Sequence, residues 1–157
     1  MAAATLGVST VSTANATSYA SGAFTPAAND LLVVKVVATG LKSVAKGGLG
    51  VITLTDSQGL GFTQRAEAVF NSAVQNHSIF MFSANGFAAA SSMTVTFDCT
   101  GDTASGCMIA VVRVSGMRRK GAAAIRQTAV QDDQVTAVPA PVFAKVCLTG
   151  NVIVGCV

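Results

Sequence analysis

The chain has 157 residues, of which 51% are apolar and only 11% are charged, with a formal net charge of +3; this length fits one domain with one hydrophobic core. No apolar run approaches the roughly 20 residues that a transmembrane helix requires, so we expect no membrane partner. Most of the net positive charge lies in the short cluster Arg118, Arg119 and Lys120, which is much weaker than the basic face of a nucleic-acid-binding protein. We therefore expect no nucleic-acid partner.

Residues 1–15 are rich in Ala, Ser and Thr and contain neither Lys nor Arg. They also lack a continuous apolar stretch, so they match neither a secretory signal nor a transit peptide. We expect an extended N-terminal arm over 1–15, followed by a single domain over 16–157. An extended arm can add a strand to the sheet edge of a neighbouring chain. The residues predicted to contact that neighbour are Thr5, Leu6, Val8 and Val11.

Short segments rich in Val, Ile, Thr and Phe follow along the chain, each bounded by Gly, Asn, Asp or Ser. This composition predicts β-strands. The predicted strands are 31–38, 51–57, 62–70, 77–84, 93–99, 108–116, 124–131 and 151–157. Their number and spacing indicate an all-β sandwich.

Two of these segments indicate how their strands are buried. Apolar and polar residues alternate over 93–99, which places Val95 and Phe97 on one face and predicts a strand with one face in water. The segment 108–116 is almost continuously apolar as far as Arg113 and predicts a central strand that is buried on both faces.

The connections carry residues that are typical of turns. Glycines in 46–50 and 57–61 supply the positive-φ positions that tight loops need. Pro26 and the pair Asn29 and Asp30 predict a turn into the next strand.

The four cysteines are Cys99, Cys107, Cys147 and Cys156. Neither pair has the CxxC spacing of a zinc or thioredoxin site, so we expect no metal. A Cys99–Cys107 disulfide could close a hairpin, but buried free thiols are favoured in a chain without a secretory signal.

Few residues could support catalysis. The chain has one histidine, His77, and one glutamate, Glu67, and it lacks a nucleophile elbow and a phosphate-binding loop. Asp132 and Asp133 are sequence neighbours that point in opposite directions on an extended chain, so they cannot flank a scissile bond together. We therefore expect neither an enzyme nor a cofactor.

The final segment, 151–157, ends without the polar residues that usually finish a chain at the surface. Either this strand pairs within the sheet to its last residue, or the natural chain continues beyond Val157. The second interpretation is slightly favoured.

The high apolar content and the shortage of charge predict that other chains cover part of the surface, so we expect a homo-oligomer. The cluster Arg118, Arg119 and Lys120 either contacts an acidic partner surface or is a solvated turn.

One family resemblance covers roughly residues 16–116. The stretches "SGAFTPAANDLLVVKVVATG", "VITLTDSQGLGFTQRAEAVF", "HSIFMFSA", "SMTVTF" and "MIAVVRVSG" occur in an order that resembles the jelly-roll domains of tailed-phage virion proteins. These include capsid decoration (cement) proteins and head- or tail-fibre modules. Similar domains often carry Trp where this chain has Phe62. The resemblance implies a jelly-roll-like sandwich that assembles, often as a homotrimer, on the capsid exterior and binds major capsid subunits.

The alternative is a receptor- or glycan-binding module of a phage fibre or a cell-surface protein. Sugar sites usually stack Trp or Tyr against the sugar ring, and this chain has no Trp and a single Tyr, Tyr19. The absence of these rings favours the capsid-decoration function.

Overall fold

A computed structural model describes residues 2–41, 52–71, 76–86 and 91–117, together with residues 125 and 154. These ranges contain eight β-strands and no helix. The strands are β1 (Ala3–Ser12), β2 (Ser18–Ala20), β3 (Leu31–Thr39), β4 (Thr53–Asp56), β5 (Thr63–Asn71), β6 (Asn76–Asn85), β7 (Val95–Asp98) and β8 (Gly106–Ser115).

The strands form two antiparallel sheets that pack as a sandwich. The larger sheet has the order β1-β8-β3-β6-β5, and the smaller has the order β2-β7-β4. The pairs β1·β8, β2·β7 and β3·β6 are nested along the chain, as in a long hairpin that has been folded over. The predicted all-β sandwich is therefore confirmed.

The core lies between the two sheets and is built from the alternate residues of each strand. Phe80 of β6 and Phe97 of β7 are fully buried, and their ring centroids lie 5.5 Å apart. Phe82 packs beside Phe80 with a centroid distance of 6.3 Å. Each fully buried side chain of this kind contributes about 1.5–3 kcal/mol relative to an exposed one, so this aromatic cluster is a large part of what holds the sheets together.

Six of the eight predicted strands are confirmed, as β3 to β8. The other two, 124–131 and 151–157, lie outside the described residues except for Ile125 and Val154. Gly59 and Gly61 have positive φ angles of 75° and 71°, as predicted for glycines in the loop 57–61. Asn29, in the predicted turn before β3, has a φ angle of 62°. The loop 46–50 lies outside the described residues.

The predicted arm needs a correction. Residues 3–12 form β1, which pairs along its whole length with β8 of the same chain. Strand β8 needs a hydrogen-bonding partner on the side away from β3, and the N-terminal segment provides it. The segment predicted as a free arm is thus an edge strand of the domain itself.

The burial of β7 agrees with its prediction, and that of β8 agrees in part. Val95 and Phe97 of β7 are fully buried while Thr94 and Thr96 are half-buried, which confirms the strand with one wet face. Strand β8 is central, between β1 and β3, as predicted. Its outward residues are mostly half-buried, however, so burial on both faces is only partly correct.

Candidate interaction face

The five-stranded sheet has an unusually apolar outer face, by which we mean the side chains that point away from the three-stranded sheet. The pairing register places one residue of each strand in a row across this face. We call the following residues, from edge to edge, the apolar row: Val11, Met108, Val37, Ile79 and Ala68. None of the five is buried.

Leu6 and Val11 are the large apolar side chains that the structure leaves most open to water. They are 65% and 68% exposed, and both lie on β1 at the edge of the outer face. On this face the row of Ser9, Ala110 and Lys35 separates Leu6 from Val11, so the contiguous apolar surface is the apolar row with Val11 at its edge. Contiguous apolar surface that is not buried usually marks a surface that another molecule covers. The outer face is therefore the candidate site for protein association.

A β-bulge at Gly7 determines which β1 residues belong to this face. Leu6 lies opposite Val112, whereas Val8 lies opposite Val111, so Gly7 is the extra residue between them. In a regular strand Leu6 and Val8 would share a face, but the bulge places them on opposite faces. A Cβ at Gly7 would lie 3.3 Å from both the Arg113 Cδ atom and the Val111 carbonyl oxygen, which accounts for glycine at this position.

The structure separates the four predicted contact residues of β1 into three groups. Leu6 and Val11 lie on the outer face and are exposed. Thr5 is also exposed, but its register position, opposite Arg113, is on the inner side of the sheet. Val8 is half-buried and packs against the main core, and its predicted contact with a partner stays a prediction. The predicted contacts Arg118, Arg119 and Lys120 lie outside the described residues.

One end of the outer face is covered by the chain itself. Leu31, Val33 and Val114 are buried there. The half-buried residues packed against these three include Met117, Ile125 and Val154. The apolar row lies four residues further along the strands, from Val33 to Val37 on β3, and none of its members is buried.

The outward side of the three-stranded sheet has the opposite character. Its pairing places Ser18, Asp98 and Thr53 in one row and Ala20, Thr96 and Thr55 in the next. These residues are half-buried or exposed. The sandwich therefore has one polar side that suits water and one apolar side.

A second feature of the outer face is a cleft at its corner beside β5 and β6, which we call the Arg65 cleft. Its volume is about 190 Å³. A bulge makes Arg65 the extra residue between Gln64 and Ala66. The Arg65 Nε–H donates a hydrogen bond of 2.7 Å to the hydroxyl of Ser83, which is only 2% exposed. The residues that line the cleft are Leu31, Leu60, Gly61, Thr63, Arg65, Ser83, Ala84 and Asn85.

The loop that forms one wall of this cleft is folded around a carboxylate. The amides of Gln58 and Leu60 both donate hydrogen bonds to the Asp56 carboxylate, at 2.8 and 2.9 Å. Because Asp56 ends β4 and the loop leads directly into β5, these bonds fix the wall relative to Arg65.

Two buried cysteines lie in the main core. Cys99 and Cys107 are free and buried, so the prediction of free thiols is confirmed and the disulfide is absent. Burial, with a smaller contribution from the nearby Cys99, raises the pKa of Cys107 to about 12. Burial also raises the pKa of Cys99. Thiols with raised pKa values remain protonated at neutral pH and are poor nucleophiles.

An ion pair between Arg113 and Asp30 stabilises the turn before β3. The Arg113 Nε–H donates to the Asp30 carboxylate at 3.0 Å, and the Ala27 amide donates to the same oxygen at 2.9 Å. Asp30 is only 2% exposed, so the pair neutralises a carboxylate that would otherwise be buried alone. Arg113 is thus used within the fold.

The described part of the chain holds no group of three or more His, Cys, Asp and Glu side chains that could bind a metal ion. His77 lies in β6 opposite Thr39 and Phe70. Among the same residues, no helix is long and apolar enough to cross a membrane.

Sequence reasoning missed both the apolar row and the Arg65 cleft. The sequence does indicate the apolar row, since "LLVVKVVA" and "MIAVVRVS" are apolar at both odd and even positions. Such a pattern predicts a strand with two apolar faces. The cleft has no such sign in the sequence, because it depends on a bulge that no local pattern around Arg65 indicates.

Comparison with protein-family models, with curated proteins and with solved structures finds no match for this chain.

Proposed function

We propose that this chain is a structural virion protein that forms an oligomer, binds major capsid subunits on the capsid exterior, and stabilises the capsid of a tailed phage. One observation carries this proposal: none of the apolar row is buried, its edge residue Val11 is exposed, and Leu6 is exposed further along the same edge strand. A protein that decorates a shell must cover surface against copies of itself and against the shell, and an apolar sheet face provides such a surface.

The size of the outer face suits this function. The face is about 24 Å wide, because five strands lie about 4.8 Å apart, and about 30 Å long, because β3 has nine residues of about 3.4 Å each. Its area is therefore about 700 Å². A stable interface takes about 800 Å² from each partner. Because the chain itself covers one end of this face, the open part is smaller than a standard contact, and repetition over a lattice adds to it through effective concentration.

The strand pairing supports the jelly-roll part of the proposal. A jelly roll has eight antiparallel strands in two sheets, wound as a folded hairpin. The nested pairs β1·β8, β2·β7 and β3·β6 match this winding. The fourth nested pair would be β4·β5, but here β5 pairs with β6 instead, which places β5 in the larger sheet.

The test is a charge-introduction experiment on the outer face. The variant Leu6→Lys/Val11→Lys adds two charges to the edge of this face. Its control, Thr53→Lys/Thr55→Lys, adds the same two charges to exposed positions on the polar side of the sandwich. Mass photometry gives the oligomeric state, and co-sedimentation with capsid shells of the same phage gives retention.

We expect the wild type and the control to form the same oligomer, with a trimer expected, and to sediment with shells. The outer-face variant should lose at least about tenfold in retention, because a charge in an apolar contact is costly to desolvate. A wild-type monomer that stays in the supernatant would overturn the proposal.

A second candidate, a receptor- or glycan-binding module of a fibre, is supported by the polar Arg65 cleft. A glycan array probed with the wild type and with Arg65→Gln tests it. Specific glycan binding that the variant loses, without retention on shells, would favour this candidate.

A further inference from the structure

We propose that the Arg65 cleft binds a carboxylate group, and that in the assembly this carboxylate is an acidic side chain of the protein that covers the outer face. The identity of that partner rests on the proposed function, whereas carboxylate binding by the cleft does not.

The orientation of the Arg65 side chain is the first reason. Its Nε–H is held by the buried Ser83 hydroxyl at 2.7 Å. A guanidinium has five N–H donors in one plane, so fixing Nε–H leaves four donors on the two Nη atoms with a defined orientation. Such a fork matches the two oxygens of a carboxylate.

The charge balance of the cleft is the second reason. No Asp or Glu lines the cleft. The ion pair between Arg113 and Asp30 is the only one found within the described ranges, so Arg65 has no internal counter-charge there. A half-buried guanidinium without a counter-charge favours an anionic ligand.

The shape of the cleft limits the size of the ligand. Its volume of about 190 Å³ is a little larger than that of a cavity of about 150 Å³ that accepts a benzene ring. This is room for one side chain the size of Glu or for one sugar ring. Thr63 adds a hydroxyl to the lining, and a Cβ built at Gly61 would meet no atom within 4 Å, so this side is open.

The surroundings favour a protein side chain over a sugar acid. Leu31 and Leu60 form apolar walls, and the lining pairs Leu31–Asn85 and Thr63–Ser83 have register positions on the same face as the apolar row. A peptide segment with apolar residues beside a Glu or Asp can satisfy both features, whereas the hydroxyl groups of a sugar cannot pair with the row.

Nuclear magnetic resonance titration of the full-length, ¹⁵N-labelled chain tests the proposal. The probes are the peptide acetyl-Ala-Leu-Glu-Leu-Ala-amide, its counterpart with Gln in place of Glu, and methyl glucuronide. The readouts are the Arg65 Nε–H and Gly61 amide resonances. The variants are Arg65→Gln, the conservative Arg65→Lys, and the control Lys35→Gln, which removes a cation from the outer face outside the cleft.

We expect the Glu peptide to shift both resonances to saturation and to bind at least about tenfold more tightly than the Gln peptide. Arg65→Gln should weaken binding at least about tenfold, and Arg65→Lys should weaken it less because the charge remains. Lys35→Gln should change it less than about twofold. Equal binding of the Glu and Gln peptides, or full binding by a folded Arg65→Gln, would overturn the proposal.

Tighter binding of methyl glucuronide than of the Glu peptide would overturn the protein side chain as the source of the carboxylate. Co-sedimentation with capsid shells is scored separately. A positive titration without retention on shells rejects the proposed function alone, and retention with a negative titration rejects the carboxylate site alone.

Discussion

The hydroxyl group of Tyr19 shows how one buried polar atom joins distant parts of this fold. It lies 2.7 Å from the carbonyl oxygens of Ala14 and Ala104, to either of which it can donate its hydrogen, and it accepts a hydrogen bond of 3.1 Å from the Ala16 amide. The ring is 6% exposed and lies in the main core. Tyr19 therefore connects the segment before β2 to the loop before β8.

Replacement of Tyr19 by Phe keeps the ring and removes these hydrogen bonds. We expect a loss of about 0.5–1.5 kcal/mol in the free energy of unfolding, because the bonds of the hydroxyl are lost while the Ala16 amide still donates to the Ala104 carbonyl at 3.1 Å. Urea denaturation measures it. Thr55→Val is the control, since it removes an exposed hydroxyl and should change stability by less than about 0.5 kcal/mol. Equal midpoints for all three proteins would contradict this role of Tyr19.

The buried thiols predict a dependence of stability on pH. Burial raises the pKa of Cys107 from the ordinary value of 9.0 to about 12. The unfolded chain therefore loses this proton first, so the stabilisation is complete below pH 9 and is lost as the pH rises towards 12. The slope for one proton is at most about 1.4 kcal/mol per pH unit.

Guanidinium unfolding under reducing conditions at pH 8, 9 and 10 measures this slope. Cys107→Ala should show a shallower fall than the wild type. All other ionisable residues are the same in the two proteins, so the difference between the two slopes isolates Cys107. Parallel pH profiles would show that Cys107 does not contribute.

At the level of strands, two bulges determine what the outer face carries. The bulge at Gly7 keeps Leu6 on the outer face while it turns Val8 into the core, and the bulge at Arg65 aims the guanidinium at Ser83. Bulges are often found where a strand must present a particular side chain. Both lie on the edge strands of the five-stranded sheet, where the fewest ladder hydrogen bonds are disturbed.

The effect of the first bulge can be tested with two deletions in β1. Deletion of Gly7 removes the extra residue, so every other β1 residue keeps its face and the cost should be below about 1 kcal/mol. Deletion of Ser9 removes a regularly paired residue and turns Val8 away from the core. It should therefore cost about 1–2 kcal/mol more than deletion of Gly7. Urea midpoints compare the two, and a Gly7 deletion that is the more damaging would contradict the register.

The same strands show how far the sequence could predict this molecule. Strands such as β3 and β6 were evident because long runs of Val, Ile and Phe lie between turn residues. Strand β1 was not, because its Ser and Thr side chains suit either a solvated arm or an edge strand, and only its pairing with β8 decides. The Arg65 cleft could not be predicted, because it depends on contacts between residues far apart in sequence, such as Arg65 and Ser83.

Seen as a whole, the sandwich has two unlike sides. The three-stranded sheet turns Thr and Ser side chains to water, while the five-stranded sheet presents the apolar row with Lys35 and Arg65 on the same face. Within the described strands, no register position on this outer face carries a carboxylate. A partner that combines apolar residues with acidic ones is the best match for such a surface.

The most direct measurement of the central claim is a cryo-electron microscopy reconstruction of capsid shells saturated with the purified chain. We predict ordered density at symmetry-related positions on the shell exterior, with the outer face of the five-stranded sheet against a capsid subunit or a neighbouring copy and the polar side towards solvent. Bare shells at saturating protein, or copies bound by the polar side with the apolar row facing solvent, would contradict the account.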